Sequence, residues 1–248
     1  MSFDERTRII LGEEGAAALA AASVAVYGLG GVGAACAMDL VRVGVGRIVA
    51  VDFDDVAESN LNRLYFGYRA EIGRPKAEVF AEYARRVNPG VVVEAAPRFF
   101  SGEGAAELVA ANAGGGCAVH LDCVDALNPK VNLLAALSRA GLAFAASMGT
   151  AGRLDPGRLR LSALSASSGC PLAREVRNRL RRLGVGIDFP AVWSDEPATP
   201  PVERPAGPEE EQKAPGRIRK MQGSAPFVPQ AAGHLLASWA TRRLLGLA

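Results

Sequence analysis

Along the chain, short apolar runs alternate with longer segments whose apolar residues recur at helical spacing. Residues 13–22 (EEGAAALAAA) are dense in helix formers and predict a short helix. SVAVYG at 23–28 is an apolar run that stops at glycine, the pattern of a buried strand. Residues 32–43 have helical character and end at Gly44, and GRIVAVDFD at 46–54 predicts a second buried strand that runs into acid. The alternation continues with a helix over 75–87 that has proline at its start, a strand over 91–97 and a helix over 103–112. A strand over 118–125, a helix over 129–141 closed by glycine and a strand over 142–149 follow. This repetition predicts an α/β fold: a Rossmann-like, doubly wound and mainly parallel sheet.

Beyond Gly152 the pattern changes. RLRLSAL at 158–164 predicts a strand outside the parallel set, and CPLAREVRNRLRRLG at 170–184 a strongly basic helix. Residues 195–217 are rich in proline and charge and read as a mobile loop or lid. A terminal helix is expected from Pro229, and no internal repeat is visible. The chain reads as one domain over 1–248, with a nucleotide-binding core over 1–150 and a C-terminal elaboration on the substrate side over 151–248.

Composition narrows the classes. Hydrophobic residues make up 49% of the chain, ample for a sizeable core. The formal net charge of +2 argues neither for nor against a nucleic-acid partner. Cys36, Cys117, Cys123 and Cys170 are scattered with no C-x-x-C pair, which disfavours a structural zinc site and a disulfide framework. The opening residues, MSFDERTR, carry charge and no signal-peptide pattern, and no apolar stretch is long enough to span a bilayer. A cytoplasmic protein with no membrane partner is therefore expected.

Gly28-Leu29-Gly30-Gly31-Val32-Gly33 lies at the first strand–helix turn. A Gly-x-Gly-x-x-Gly turn lets backbone approach a phosphate at a helix N-terminus. Asp52, at the end of the next strand, is placed to accept hydrogen bonds from ribose hydroxyls. These features mark a nucleotide and leave NAD and ATP both open. Hydride transfer calls for an acid–base residue, and the two histidines, mid-strand His120 and helical His234, both read as core or surface residues.

The polar residues downstream favour ATP. Asn60, Asn62, Arg63 and Lys76 closely follow the ribose acid. Arg63 and Lys76 can neutralise a triphosphate and the transition state at phosphorus, and Asn60 can orient a phosphate or the ribose. Asp125, beyond the fourth strand, faces the same crevice, because ligands gather at the carboxyl ends of parallel strands; a carboxylate there can hold Mg²⁺. Asp122 is nearer the strand interior and reads as structural. The plainer alternative, a scatter of loop charges, is disfavoured because these residues all fall at strand ends on the nucleotide side.

The series G-x-G-G-V-G, D-F-D-x-V-x-x-S-N-L-x-R, G-x-P-K and D-C-x-D resembles the adenylating superfamily of ubiquitin-activating (E1-like) and ThiF-type enzymes, through most of residues 6–150. The resemblance implies that ATP and a substrate carboxylate give an acyl-adenylate and pyrophosphate. It implies ATP contacts from Gly30, Gly31, Asp52, Asn60, Arg63, Lys76 and Asp125. It also implies that an arginine near one N-terminus reaches the other subunit's ATP; Arg6 matches that position, so a homodimer is expected.

The C-terminal part separates the branches. Residues 184–228 hold no cysteine, which disfavours thioester chemistry. Cys170, at the start of the basic helix, is either an activated thiol or a small buried cap residue, and the second is favoured. SMGTAGRLDPGRLRL, then CPLAREVRNRLRRLG, then GSAPFVPQAAGHLLASWATRRLL, are similar to the tRNA threonylcarbamoyladenosine dehydratase branch. That likeness implies tRNA bearing threonylcarbamoyladenosine (t6A37) as partner: its threonyl carboxylate is adenylated, and internal attack expels AMP and closes a ring.

Arg153, Arg158, Arg160, Arg174, Arg177, Arg179, Arg181 and Arg182 concentrate positive charge that suits a phosphate backbone. Arg174, Arg177 and Arg181 recur at helical spacing and should share a face, and with Arg153 they are the expected tRNA contacts. The chain departs from the branch at Cys170, which replaces a frequent acid, in the proline-rich 195–217 loop and at VWSDEP, 192–197. The alternative is an adenylyltransferase that activates the C-terminal carboxylate of a ubiquitin-like sulfur-carrier protein. A nucleotide-binding scaffold without turnover is a third reading, disfavoured by the full set Asn60, Arg63, Lys76 and Asp125.

Overall fold

Strand β1 (Ser23–Tyr27) is the centre on which the fold is laid out. In the computed structural model, which describes residues 3–204 and 219–247, all five of its residues are buried. Val24 and Val26 point to one face of the sheet, Ala25 and Tyr27 to the other. A strand buried on both faces has no polar side to alternate with, which is why it reads as a continuous apolar run.

Six strands join it: β2 (Arg47–Val51), β3 (Val92–Ala96), β4 (Val119–Asp122), β5 (Phe144–Ser147), β6 (Leu159–Ala163) and β7 (Pro190–Ser194). Their order is β3-β2-β1-β4-β5-β7-β6, parallel throughout except for β6, which runs antiparallel to β7 at the edge. The expected strand outside the parallel set is this edge strand. Strand β7 went unread in the sequence. Its PAVWS opens with proline and follows the irregular stretch after the basic helix, so no periodicity announces it.

Helices α2 (Gly31–Val43), α3 (Lys76–Val87) and the terminal α7 (Phe227–Leu244) cover one face; α4 (Glu103–Gly114), α5 (Leu127–Arg139) and α6 (Pro171–Arg182) cover the other. The closest helix pair is α2 with α7. A Cβ on Gly233 would stand 2.4 Å from the Val32 carbonyl oxygen, so only glycine admits this approach. Helix α1 (Glu5–Ala21) starts earlier than the expected 13–22 helix and is broken at Gly12, whose φ of +71° is left-handed. Within the expected 195–217 loop, Val202–Arg204 (β8) pairs with Arg219–Met221 (β9), while 205–217 lies outside the described residues.

Candidate active site

The strand order places the glycine turn beside the β1/β4 divergence, where successive connections leave on opposite sides. A cleft of about 620 Å³ opens there, within the size range of small-molecule sites. Its walls include Gly28, Gly30, Gly31, Asp52, Asn60, Arg63, Lys76 and Asp125. Residues from three separate strand–helix connections thus meet in one place.

Each glycine has its own reason. Gly28 has φ of +87°, and a Cβ there would stand 3.0 Å from the Cys123 carbonyl oxygen, so the turn demands glycine. Gly30 caps α2 and Gly31 is its first residue. Gly33 does not line the cleft, contrary to the expectation of a cofactor contact. A Cβ on it would lie 1.8 Å from the Gly28 carbonyl oxygen, so its part is to let α2 close against the turn.

Asp52 is buried and ties the turn to β2. Its Oδ2 accepts the Leu29 N–H at 2.5 Å and its Oδ1 the Asp54 N–H at 2.8 Å. Burial pushes its carboxyl pKa up, against the pull of Lys76, whose Nζ lies 3.9 Å away. Lys76 itself is buried and bonds Asp54 at 2.8 Å. Arg63 bonds the Ser59 carbonyl and Asn62 Oδ1, and Asn62 bonds the Ser224 carbonyl, so this segment is moored beside α7. Asn60 Oδ1 accepts the Ala57 N–H at 3.3 Å. Asp125 is exposed at the cleft. Among the described residues no group of three His, Cys, Asp or Glu could hold a metal by itself.

Asp122 is fully buried, as a structural acid should be, but its partner Lys130 was not read from the sequence. Lys130 Nζ bonds Asp122 Oδ2 at 2.5 Å and the Ser147 carbonyl at 2.8 Å, which stitches the ends of β4 and β5 together. The signal was present as D-x-x-D-x-x-x-x-K, yet a lysine on a helix reads as surface by default.

The match to known proteins decides the family. The model of the ThiF family matches residues 4–247. The chain belongs to the ThiF family. Within it, the chain is 31% identical to the tRNA threonylcarbamoyladenosine dehydratase of Bacillus subtilis (strain 168), over 97% of this chain and 93% of that one. It superposes with a TM-score of 0.83 on the crystal structure of E. coli TcdA, a tRNA N6-threonylcarbamoyladenosine dehydratase, in complex with ATP; identity is 27%, covering 98% of this chain and 93% of that chain. The molybdopterin-synthase adenylyltransferase of Salmonella typhimurium (strain LT2) is 36% identical over 45% of this chain and 43% of its own length.

In this ThiF-family chain the expected RNA-facing arginines divide. Arg174 and Arg181 are exposed on α6. Arg177 is half-buried and donates to the carbonyl and hydroxyl oxygens of Ser167, so it is committed to the fold. Arg158 pairs with Asp195 at 2.7 Å. Arg153 is 3% exposed and lines the cleft, so it does not belong to an outer stripe facing a phosphate backbone. Cys170 is buried at the α6 N-cap position, and Arg6 is exposed on α1, away from the cleft of its own chain. His120 is buried and His234 bonds Asp39; neither lines the cleft.

Proposed function

We propose that this chain is an ATP-dependent tRNA threonylcarbamoyladenosine dehydratase. The observation that carries this reading is the convergence of phosphate-directed and acidic residues in one cleft, in a chain that matches such dehydratases along nearly its full length. A sulfur-carrier adenylyltransferase is less well supported, since the likeness to that branch spans less than half of the chain.

The glycine turn and the α2 N-terminus take the phosphates, and Asp52 and Asn60 take the ribose side. A substrate carboxylate oxygen attacks the α-phosphorus, and pyrophosphate leaves. Arg63 and Lys76 neutralise the charge that gathers there. Internal attack on the acyl-adenylate then expels AMP and closes the ring, a net dehydration. Asp125 fits Mg²⁺, which is commonly bound by one or two carboxylates together with substrate phosphates; bound there, the ion would supply charge neutralisation.

The same reading takes the chain as a cytoplasmic homodimer. Arg6 shares α1 with Ile9 and Ile10, which are 80% and 83% exposed, an apolar face that a second copy would cover. Arg174 and Arg181 serve as contacts to the tRNA backbone.

AMP release from ATP, measured with tRNA bearing threonylcarbamoyladenosine, with unmodified tRNA and with a sulfur-carrier protein, tests the reading. Release that depends on the modified tRNA supports it. Release that depends on the carrier protein alone transfers the chain to the alternative.

A further inference from the structure

Among the described residues, Arg153 is a cation that the fold buries without an anion. Among the described residues its contacts are all main-chain carbonyls: Nε donates to Glu196 O at 2.9 Å, and Nη1 to Gly149 O at 2.7 Å and Ala151 O at 3.3 Å. Its Nη2 is buried and has no partner among the described residues. The other cleft cations differ. Lys76 is paired with Asp54, Arg63 is half-exposed and Arg98 is exposed. An unpaired guanidinium shut away from water is costly, and carbonyl dipoles offset only part of that cost.

Its seat is also well built. Glu196 accepts the Leu154 and Asp155 N–H groups at 2.9 and 3.0 Å, which fixes the chain on the C-terminal side of Arg153. The segment runs from the end of β5, and Gly149, Thr150 and Ala151 line the cleft with it. Strand β5 stands two places from β1, roughly 10 Å across the sheet. Asp125 follows β4, between the two. Arg153 therefore belongs to the part of the cleft lining that follows β5, two strands away from the glycine turn.

We propose that Arg153 binds the carboxylate of the substrate and presents it to the α-phosphate of ATP. This rests on the dehydratase reading above and adds to it the residue that selects the substrate's acid group. A guanidinium N–H suits a carboxylate oxygen, and a single free Nη2 leaves the second oxygen available for attack. In that step a carboxylate oxygen forms a bond to the α-phosphorus, the bond from that phosphorus to the bridging oxygen breaks, and its electron pair leaves with pyrophosphate. No proton is transferred. Two anions must meet in this step, and Arg153 supplies the charge that lets the carboxylate approach.

The test uses the full-length protein and tRNA bearing threonylcarbamoyladenosine. Arg153→Gln is expected to lower tRNA-dependent AMP release at least 100-fold at saturating substrates, with affinities for ATP and for tRNA within threefold of the parent. Arg153→Lys, which keeps the charge, should recover part of the loss. Equal turnover in parent and Arg153→Gln overturns the proposal, as does a parallel loss of ATP affinity, which would place Arg153 on the phosphates. A second measurement needs no variant. The free modified nucleoside should inhibit the parent enzyme at least tenfold better than its methyl ester; equal inhibition overturns the proposal. If the parent itself gives no AMP release with modified tRNA, the dehydratase reading fails first, and the two failures are told apart.

Discussion

At the residue scale the decisive groups are few, and several act by holding others in place. Asp125→Ala removes an exposed carboxylate that bonds nothing among the described residues, so melting should be unchanged. AMP release should fall at least 100-fold, about 3 kcal/mol of transition-state stabilisation. Activity within fivefold of the parent would remove Asp125 from the metal and phosphate role. Lys130→Met, in contrast, leaves the Asp122 carboxylate buried without its cation, held only by the Val124 N–H at 3.0 Å. A loss of about 3–5 kcal/mol in denaturant melts is expected, with Asp122→Leu in the same chain recovering much of it.

His120 gives a pH signature. Its Nδ1 faces the Tyr27 hydroxyl at 3.0 Å, which in turn accepts from Asn112, and burial lowers the ring's pKa from 6.5 to about 4. The unfolded chain therefore takes up a proton near pH 6.5 that the folded chain refuses until about pH 4. Stability from the neutral ring is complete above pH 6.5 and is lost as pH falls toward 4. His120→Gln should flatten the acid side of the stability curve by up to about 1.4 kcal/mol per pH unit, read from denaturant melts across that window. Identical slopes in both proteins would show that this histidine does not titrate between the two states.

At the element scale, close backbone approach sets the geometry of the cleft. Gly233 admits α7 to α2, and α2 carries the glycine turn of the cleft at its start. Gly233→Val would drive side-chain atoms into the Val32 carbonyl and should cost about 3 kcal/mol or more, with weakened ATP binding; melting and nucleotide titration together check this. The elements that the sequence made legible are the periodic ones: β1 through β5 and the helices between them, whose apolar runs are dictated by burial on both faces of the sheet. Strand β7 and the β8–β9 pair were not legible. Their partners are set by tertiary contact, and short proline-flanked strands carry little period of their own. Arg153 was misread for a related reason. Sequence spacing shows where arginines cluster but not which of them turn inward, and the carbonyls of Gly149, Ala151 and Glu196 that draw this one in meet only in the folded chain.

At the scale of the whole molecule, two properties reach beyond one chain. Ile9 and Ile10 lie close to Arg6 on a helix whose first part packs little on its own subunit. Ile9→Asp with Ile10→Asp should convert a dimer to a monomer in light scattering, and Arg6→Ala should cut turnover while the dimer persists. A parent that runs as a monomer would contradict both. The near-neutral total charge conceals an α6 surface on which Arg181 and Arg174, the latter 3.7 Å from Glu175, are exposed, while Arg177 is bonded to Ser167 and Arg153 lines the cleft.

The central claim is that the cleft activates the threonyl carboxylate of a tRNA nucleoside and closes it with loss of water. The most direct measurement is mass spectrometry of nucleosides from tRNA bearing threonylcarbamoyladenosine, incubated with the protein and ATP. The account predicts that the modified adenosine loses the mass of one water, with one AMP formed for each nucleoside converted. An unchanged nucleoside, in a sample where the protein binds both ATP and that tRNA, would contradict it.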